Sequence, residues 1–280
     1  MEKRLVYDIG MHTGQDTAFY LHQGCRVVAV EANPMLADQG RKRFKKEMDL
    51  GLLHIENAGV SDQGTLAPFW ICDEKSEWSS FDISVASRRG YKHHAISIPV
   101  TTLPDLFQKH GKPYFVKLGV KGSVEACFRQ IATSEKPSYI SAECSGFQTI
   151  QGLAELGYRQ FKVVDQICFC SLEYPPTLAY SAYWGLKKYC EISWHCREAV
   201  FFRITGKLGG RRLAKMWMDR YQRHRGYHFE EGSSGPWGED APGRWKTQRE
   251  AEESLKKFDE WRRVNGEAAE IRWFDVHAKA

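Results

Sequence analysis

Asp8, Gly10 and Gly14 raise the first chemical question, in the run Asp8-Ile9-Gly10-Met11-His12-Thr13-Gly14. The pattern is D-x-G-x-x-x-G. It ends a stretch, Arg4–Asp8, that reads as a strand, and it precedes Gln15–Gln23, which reads as a helix. Glycines at a strand-to-helix turn let the backbone bend sharply and approach a ligand closely. A second acid, Glu31, closes the β-branched run Arg26–Glu31. In an open α/β sheet, ligands sit beyond the carboxyl ends of the strands, and an acid there accepts hydrogen bonds from ribose hydroxyls.

Two ligands fit such a turn to different degrees. A dinucleotide needs G-x-G-x-x-G to admit its pyrophosphate, and here His12 stands where the second glycine belongs. No G-x4-G-K-[ST] phosphate loop is present either. S-adenosylmethionine (SAM) carries no phosphate but has an ammonium and a sulfonium, and an acid such as Asp8 suits that positive end. The spacing therefore favours SAM over NAD. Met11, Thr17 and Ala32 lie in the same two strand-end segments and join the expected cofactor contacts.

The elements that must position these residues alternate. Strands are expected at Leu52–Gly59, Thr65–Cys72 (after a turn at Asp62-Gln63-Gly64), Ile98–Thr102, Pro113–Leu118, Ser138–Glu143 and Gln160–Val164. Helices are expected from Asn33-Pro34 to about Glu47, at Leu103–His110 (stopped by Gly111), Ser123–Thr133 and Thr149–Leu156. Alternation of this kind implies an α/β fold, a Rossmann-like doubly wound and mostly parallel sheet. The pattern changes near Tyr174-Pro175-Pro176, so residues 1–172 form the expected core and 173–280 a C-terminal extension. That extension contains an aromatic and basic segment, a Gly/Ser/Pro-rich stretch over 226–245 that reads as a lid-like loop, and a charged amphipathic helix over Thr247–Arg263.

Composition limits the alternatives. Hydrophobic residues at 42% and charged residues at 27% fit a globular chain. A net charge of +5, spread along the sequence, gives no reason to expect nucleic acid as a partner. No apolar run reaches the length of a membrane span, so the expected location is cytoplasmic and the expected partner a small molecule. The eight cysteines are scattered and read as free thiols. Neither Cys168-Phe169-Cys170 nor Cys190…His195-Cys196 has zinc spacing, and no metal site is expected.

Several stretches, VYDIGMHTGQDTAFYL, RVVAVEANP, NAGVSDQGTLAPFW and SEWSSFD, resemble the FkbM-type methyltransferases, and GSSGPWGEDAPGRW resembles the tail of a bacterial branch of that family. The resemblance covers roughly residues 4–172 and returns at 231–245. It implies a class I methyltransferase fold, SAM as methyl donor, and O-methylation of hydroxyls on sugars or secondary metabolites. Asp8, Gly10 and Gly14 would then form the methionine-binding turn, Glu31 would hold the ribose, and Ala58-Gly59-Val60 would sit near the adenine. Ser79 and Ser80 fall where the family places a polar pair near the cofactor.

One departure bears on the chemistry. After its fourth strand the family reads K-I-D-[VI]-E-G, whereas this chain reads Lys117-Leu118-Gly119-Val120-Lys121-Gly122. Both acids are gone. Losing a general base costs roughly 10²–10⁴ in rate, so activity is expected to be impaired or to use other groups, and binding without turnover is the alternative. The remaining catalytic candidates are His12, in the turn itself; Glu143, at the end of the fifth alternating strand; and Lys117, just before the missing acids. The aromatic residues Tyr180, Tyr183, Trp184, Tyr189 and Trp194 read as a small core or a carbohydrate platform. Arg211, Arg212, Arg220, Arg223 and Arg225 read as a solvated face or a patch for an acidic acceptor on one helix.

Overall fold

Short apolar runs become central strands where both of their faces are covered, and the alternation of side chains then sends successive residues to two different cores. A computed structural model of the chain describes residues 3–62, 65–131, 136–195, 210–264 and 273–280. In order, these contain β1 (Leu5–Ile9), α1 (Gln15–His22), β2 (Arg26–Val30), α2 (Pro34–Arg43), α3 (Lys45–Asp49), β3 (Leu53–Glu56), β4 (Gly59–Val60), β5 (Leu66–Cys72), α4 (Ile83–Ala86), β6 (His93–Thr101), α5 (Leu103–His110), β7 (Phe115–Leu118) and α6 (Val124–Gln130). There follow β8 (Tyr139–Glu143), α7 (Phe147–Glu155), β9 (Gln160–Asp165), β10 (Cys170–Ser171), α8 (Leu178–His195), α9 (Gly210–Asp219), β11 (Arg223–His224), β12 (Tyr227–His228), α10 (Gln248–Val264) and β13 (Phe274–Lys279).

The main sheet runs β10-β9-β13-β8-β7-β1-β2-β3. Strands β3, β2, β1, β7 and β8 are parallel, and β13 is antiparallel to both β8 and β9. The strand order reverses beside β1, and ligand crevices form at such a switch point. The architecture expected from alternation is therefore present: α/β, doubly wound and mostly parallel.

Two cores flank the sheet. Ile9, Val116, Leu118, Ile140 and Val276 pack with α5, α6, α7 and α10 on one face. Val6, Val27, Ala29 and Phe115 pack with Phe19, Tyr20, Phe229 and Trp237 on the other. The Gly/Ser/Pro-rich segment is part of this second core. Ser233 to Gly238 are buried, and the Trp237 ring stacks on Phe115 with centroids 4.5 Å apart. It is a packed strap, because a tryptophan inserted against the sheet fixes it.

Several elements differ from the expected ones for local reasons. The run expected over Leu52–Gly59 breaks at Asn57, whose side-chain amide donates to the carbonyls of Glu31 and Ala32; Gly59–Val60 then pairs with β6 in a separate small sheet. The second helix breaks at Phe44, whose ring packs where a Cβ on Gly14 would stand. Strand β6 is longer than expected because β5 pairs with it from Leu66↔Pro99 to Cys72↔His93. Strand β13 was not expected at all. Its alternation Asp275, His277, Lys279 reads as a solvent face, yet Asp275 and His277 are buried between neighbouring strands. The main sheet thus takes a strand from the C-terminal extension.

Tyr180 and Tyr183 are buried, Tyr180 against Phe258 and Tyr183 against Tyr221, with Trp184 partly buried beside them, as a small core requires. The arginines do not share one helix: α9 ends at Asp219, and Arg223 lies in a hairpin with β12. Cys196, Gln63, Gly64 and Thr133 lie outside the described residues, as do the side chains of Tyr189, Trp194 and Arg211. The described cysteines are free. Among the described residues, no helix is long and apolar enough to cross a membrane.

Candidate functional site

Beyond β1, the chain turns back through three left-handed residues, Gly10 (φ 82°), His12 (φ 54°) and Gly14 (φ 86°). At Gly10 a side chain would collide with the carbonyl of Gly119, so glycine is what lets the turn lie against the end of β7. The amides of Gly10 and Met11 both donate to the carbonyl of Val30, which ties the turn to β2. The Met11 side chain points into the second core, and its contribution here is backbone only.

Glu31 stands at the head of β2, beside this turn. Its Oε2 accepts from the His12 amide at 2.7 Å and its Oε1 from the Asn33 amide at 2.8 Å. Burial pushes its carboxyl up to about 7, against the pull of those two N–H donors. Asn33 also caps α2 by accepting from the Met35 amide, with Pro34 beginning the helix. Ala32 is half-buried and offers its carbonyl to Asn57. The His12 ring reaches the other way: Nε2 lies 2.7 Å from Ser76 Oγ. Burial depresses the His12 pKa, so the imidazole is neutral near pH 7. Ser76 was missed by sequence reading, which fixed on Ser79 and Ser80 three and four residues later.

Asp8 does not face the turn's open side. Its carboxylate is fully buried, accepting from Thr17 Oγ1 at 2.6 Å and Lys117 Nζ at 3.1 Å. Lys117 Nζ also lies 3.3 Å from Asp16 and donates to the Gly10 carbonyl at 3.0 Å. Asp16 in turn accepts from Ser233 Oγ at 2.6 Å and the Ser234 amide at 2.7 Å. Thus β1, β7, α1 and the strap close a buried ionic group on one face. Burial works against the Lys117 charge, but Asp8 and Asp16 overrule it and hold the ammonium above its ordinary range. Lys117 is a fixed cation rather than a base.

At the heads of β7 and β8 the arrangement is looser. Lys121 Nζ donates to Glu143 Oε1 at 2.7 Å, with both side chains part exposed, and lies 5.7 Å from the centre of the Trp273 ring. Glu143 pairs in register with Asp275 of β13. Burial, then the Glu143 charge, push the Asp275 carboxyl up to about 7. Asp275 was not singled out from sequence, because its strand was not recognised. Ser80 Oγ donates to the Lys121 carbonyl at 2.7 Å, and Ser79 Oγ accepts from the Cys72 amide at 3.1 Å. Ser80 therefore braces this segment against the loop after β7, while Ser79 ties it to the end of β5. Ala58 and Gly59 are buried, and Gly59 packs against the Phe81 ring.

The structure thus brings Gly10, His12, Gly14, Glu31 and Ala32 together where the turn after β1 meets the end of β2. Asp8, Thr17 and Lys117 lie in the ionic group beneath it, and Glu143 lies at the neighbouring strand end. The methyltransferase FkbM domain profile matches residues 8–172, more than half of the chain. No curated protein sequence matches it. Similar solved structures include a precorrin-6Y C5,15-methyltransferase from Geobacter metallireducens (16% identity, covering 59% of this chain and 68% of that one, TM-score 0.35). A SAM-dependent methyltransferase from Neisseria gonorrhoeae is also similar (16% identity, 50% and 52% covered, TM-score 0.27). So is a phosphoethanolamine N-methyltransferase from Haemonchus contortus, solved with S-adenosylhomocysteine (12% identity, 100% and 49% covered, TM-score 0.36). Likeness at these scores carries no argument about the reaction.

Proposed function

This chain belongs to the FkbM methyltransferase family, with SAM as its methyl donor, and we propose that it methylates a hydroxyl group of a sugar or another small metabolite. The residues present fit that donor. A carboxylate has about four lone-pair sites, and the two backbone N–H donors on Glu31 leave acceptor capacity for a ribose diol. The Gly10–Gly14 turn would take the methionine part, and Ala58 and Gly59 the side nearest the adenine.

SAM supplies a methyl group already activated on a sulfonium. The chain's own work is to orient the acceptor, exclude water and remove one proton. Of the three catalytic candidates, Lys117 is held as an ammonium by two aspartates and Glu143 is paired with Lys121. His12 stands in the turn itself and, among the described residues, is held in no ion pair, its Nε2 resting on Ser76 Oγ, and that geometry carries the proposal. Its imidazole accepts the hydroxyl proton, and Ser76 fixes the ring's orientation.

The test is turnover: S-adenosylhomocysteine release by the purified chain with a panel of sugar and small-alcohol acceptors, with His12→Asn as the comparison. Asparagine tolerates the left-handed backbone at that position. The expected loss is about 10²–10⁴-fold in kcat, with SAM affinity retained because the amide that holds Glu31 is unchanged. Equal turnover in the variant would remove His12 from the reaction.

A second reading, SAM binding without turnover, is favoured by Gly119 and by the Lys121–Glu143 pair, which leave no unpaired acid at the head of β7. The double variant Gly119→Asp/Lys121→Glu separates the two. A Cβ on Gly119 would lie 2.6 Å from Lys117 Nζ, too close for both to stay, so an aspartate there displaces the Lys117 side chain from its present position. Activity in the double variant alone would establish the second reading.

A further inference from the structure

Away from the turn after β1, on the outer edge of the sheet, two imidazoles and a carboxylate converge. Strand β3 is an edge strand; its alternation buries Leu53 and Ile55 and turns His54 and Glu56 outward to one face. Helix α5 ends at His110, where Gly111 (φ 101°) caps it and the His110 carbonyl accepts from the Arg26 guanidinium at 3.0 Å. That ending brings His110 over the same face. His54 Nε2 lies 2.8 Å and His110 Nε2 3.8 Å from Glu56 Oε2, and the two rings are 4.4 Å apart at their centres. One ligating atom from each residue falls within 4.8 Å of the others, and among the described residues this is where three metal-ligating side chains gather. His110 Nε2 is buried without a hydrogen-bond partner, 3.8 Å from the Glu56 carboxylate.

We propose that His54, Glu56 and His110 form a binding site for a zinc-class divalent cation. Two nitrogens and one carboxylate oxygen suit zinc, which takes imidazole and carboxylate together and is commonly held by three protein ligands plus water. Magnesium and calcium prefer oxygen alone. With bonds of about 2.0–2.2 Å, tetrahedral zinc sets its ligands about 3.3–3.5 Å apart. The 2.8 and 3.8 Å separations bracket that range, so a small adjustment, chiefly of the exposed His54 side chain, closes the site. Lys109 Nζ, 2.8 Å from the same Glu56 oxygen and half exposed, holds the position that the cation would take. Zinc binding therefore displaces the lysine ammonium. The metal pins the end of α5 to β3, one residue before Asn57, whose amide supports the Glu31 loop.

The experiment is titration of the chelator-stripped full-length chain with zinc against a chromophoric competitor, repeated with cobalt to report the ligands by absorption. One zinc per chain is expected, with a tetrahedral cobalt spectrum lacking thiolate charge transfer. His54→Ala and His110→Ala should each weaken binding by more than about tenfold, since losing a ligand costs more than losing a supporting hydrogen bond. Lys109→Ala should tighten it. Zinc should raise the melting temperature of the parent chain but not that of His110→Ala, by mass action on the folded state. A thiolate band, unchanged affinity in both histidine variants, or weaker binding in Lys109→Ala would overturn the proposal. None of these readouts depends on methyl transfer.

Discussion

Two groups of charged residues lie at the same end of the sheet and are built in opposite ways. Asp8, Asp16 and Lys117 are buried beneath the strap, and each of their charges meets an opposite charge or a hydrogen-bond donor. Glu143, ending β8, and Lys121, just past β7, are part exposed and joined by one contact, with Asp275 buried beside them. In the first group the low dielectric makes each partner indispensable. In the second, solvent can replace a partner at little cost. The first group therefore holds the cofactor turn and the C-terminal strap in one piece, while the second can change its residues without endangering the fold. By this difference a substitution at Lys121 is tolerated where one at Lys117 is not.

Breaking the buried group should have the largest effect. Lys117→Ala leaves two aspartates facing each other without a cation, and removing one partner of a buried pair costs about 3–5 kcal/mol. Urea unfolding should show a loss of that order with SAM absent. A loss under about 1 kcal/mol would mean that water reaches the group and that the contrast drawn here fails. Ser233→Ala comes next. It removes a buried hydroxyl that donates to a carboxylate, worth about 1.5–3 kcal/mol. Because the strap is a C-terminal element attached to α1, limited proteolysis should then cut first between Glu230 and Trp237.

How far this was legible in the sequence follows the same division. The glycine turn, Glu31 and the parallel strands were readable because each rests on local rules: a left-handed turn, an acid at a strand end, β-branched runs. The role of Asp8 was misleading for the opposite reason. Its partners, Lys117 and Asp16, and the strap behind them are brought together only by the tertiary fold. Strand β13 was hidden because Asp275 and His277 look like solvent positions, and only their burial between β8 and β9 reveals otherwise. The grouping of His54, Glu56 and His110 is not legible in the sequence, because more than fifty residues separate His110 from the other two and only the fold brings the end of α5 over β3.

Two buried acids, Glu31 after β2 and Asp275 in β13, offer a pH test. Glu31 and Asp275 both titrate near 7 in the folded chain, above their unfolded values of 4.5 and 3.8. The folded state thus keeps protons that the unfolded state has released. Stability from these groups is full below about pH 4 and is lost as pH rises through about 7. The proposed ribose contact would have the opposite sign, since hydroxyl donors favour the ionised carboxylate. SAM affinity should therefore fall by up to about tenfold per pH unit below 7, and Glu31→Gln should flatten that dependence. A parallel pH profile in the variant would show that Glu31 does not touch the ligand.

The smallest expected effect is at the second group. Lys121→Ala removes one contact with a part-exposed carboxylate, and stability should change by no more than about 1 kcal/mol. The informative readout is the Asp275 carboxyl, followed by carbon-13 NMR. Glu143 raises its pKa by repulsion, so Glu143→Gln should lower it from about 7, while burial keeps it above the ordinary range. If Asp275 does not respond, the two acids are electrostatically separate and the head of β8 is not a connected group. If Lys121→Ala costs as much as Lys117→Ala, the two regions are built alike, and burial does not set them apart.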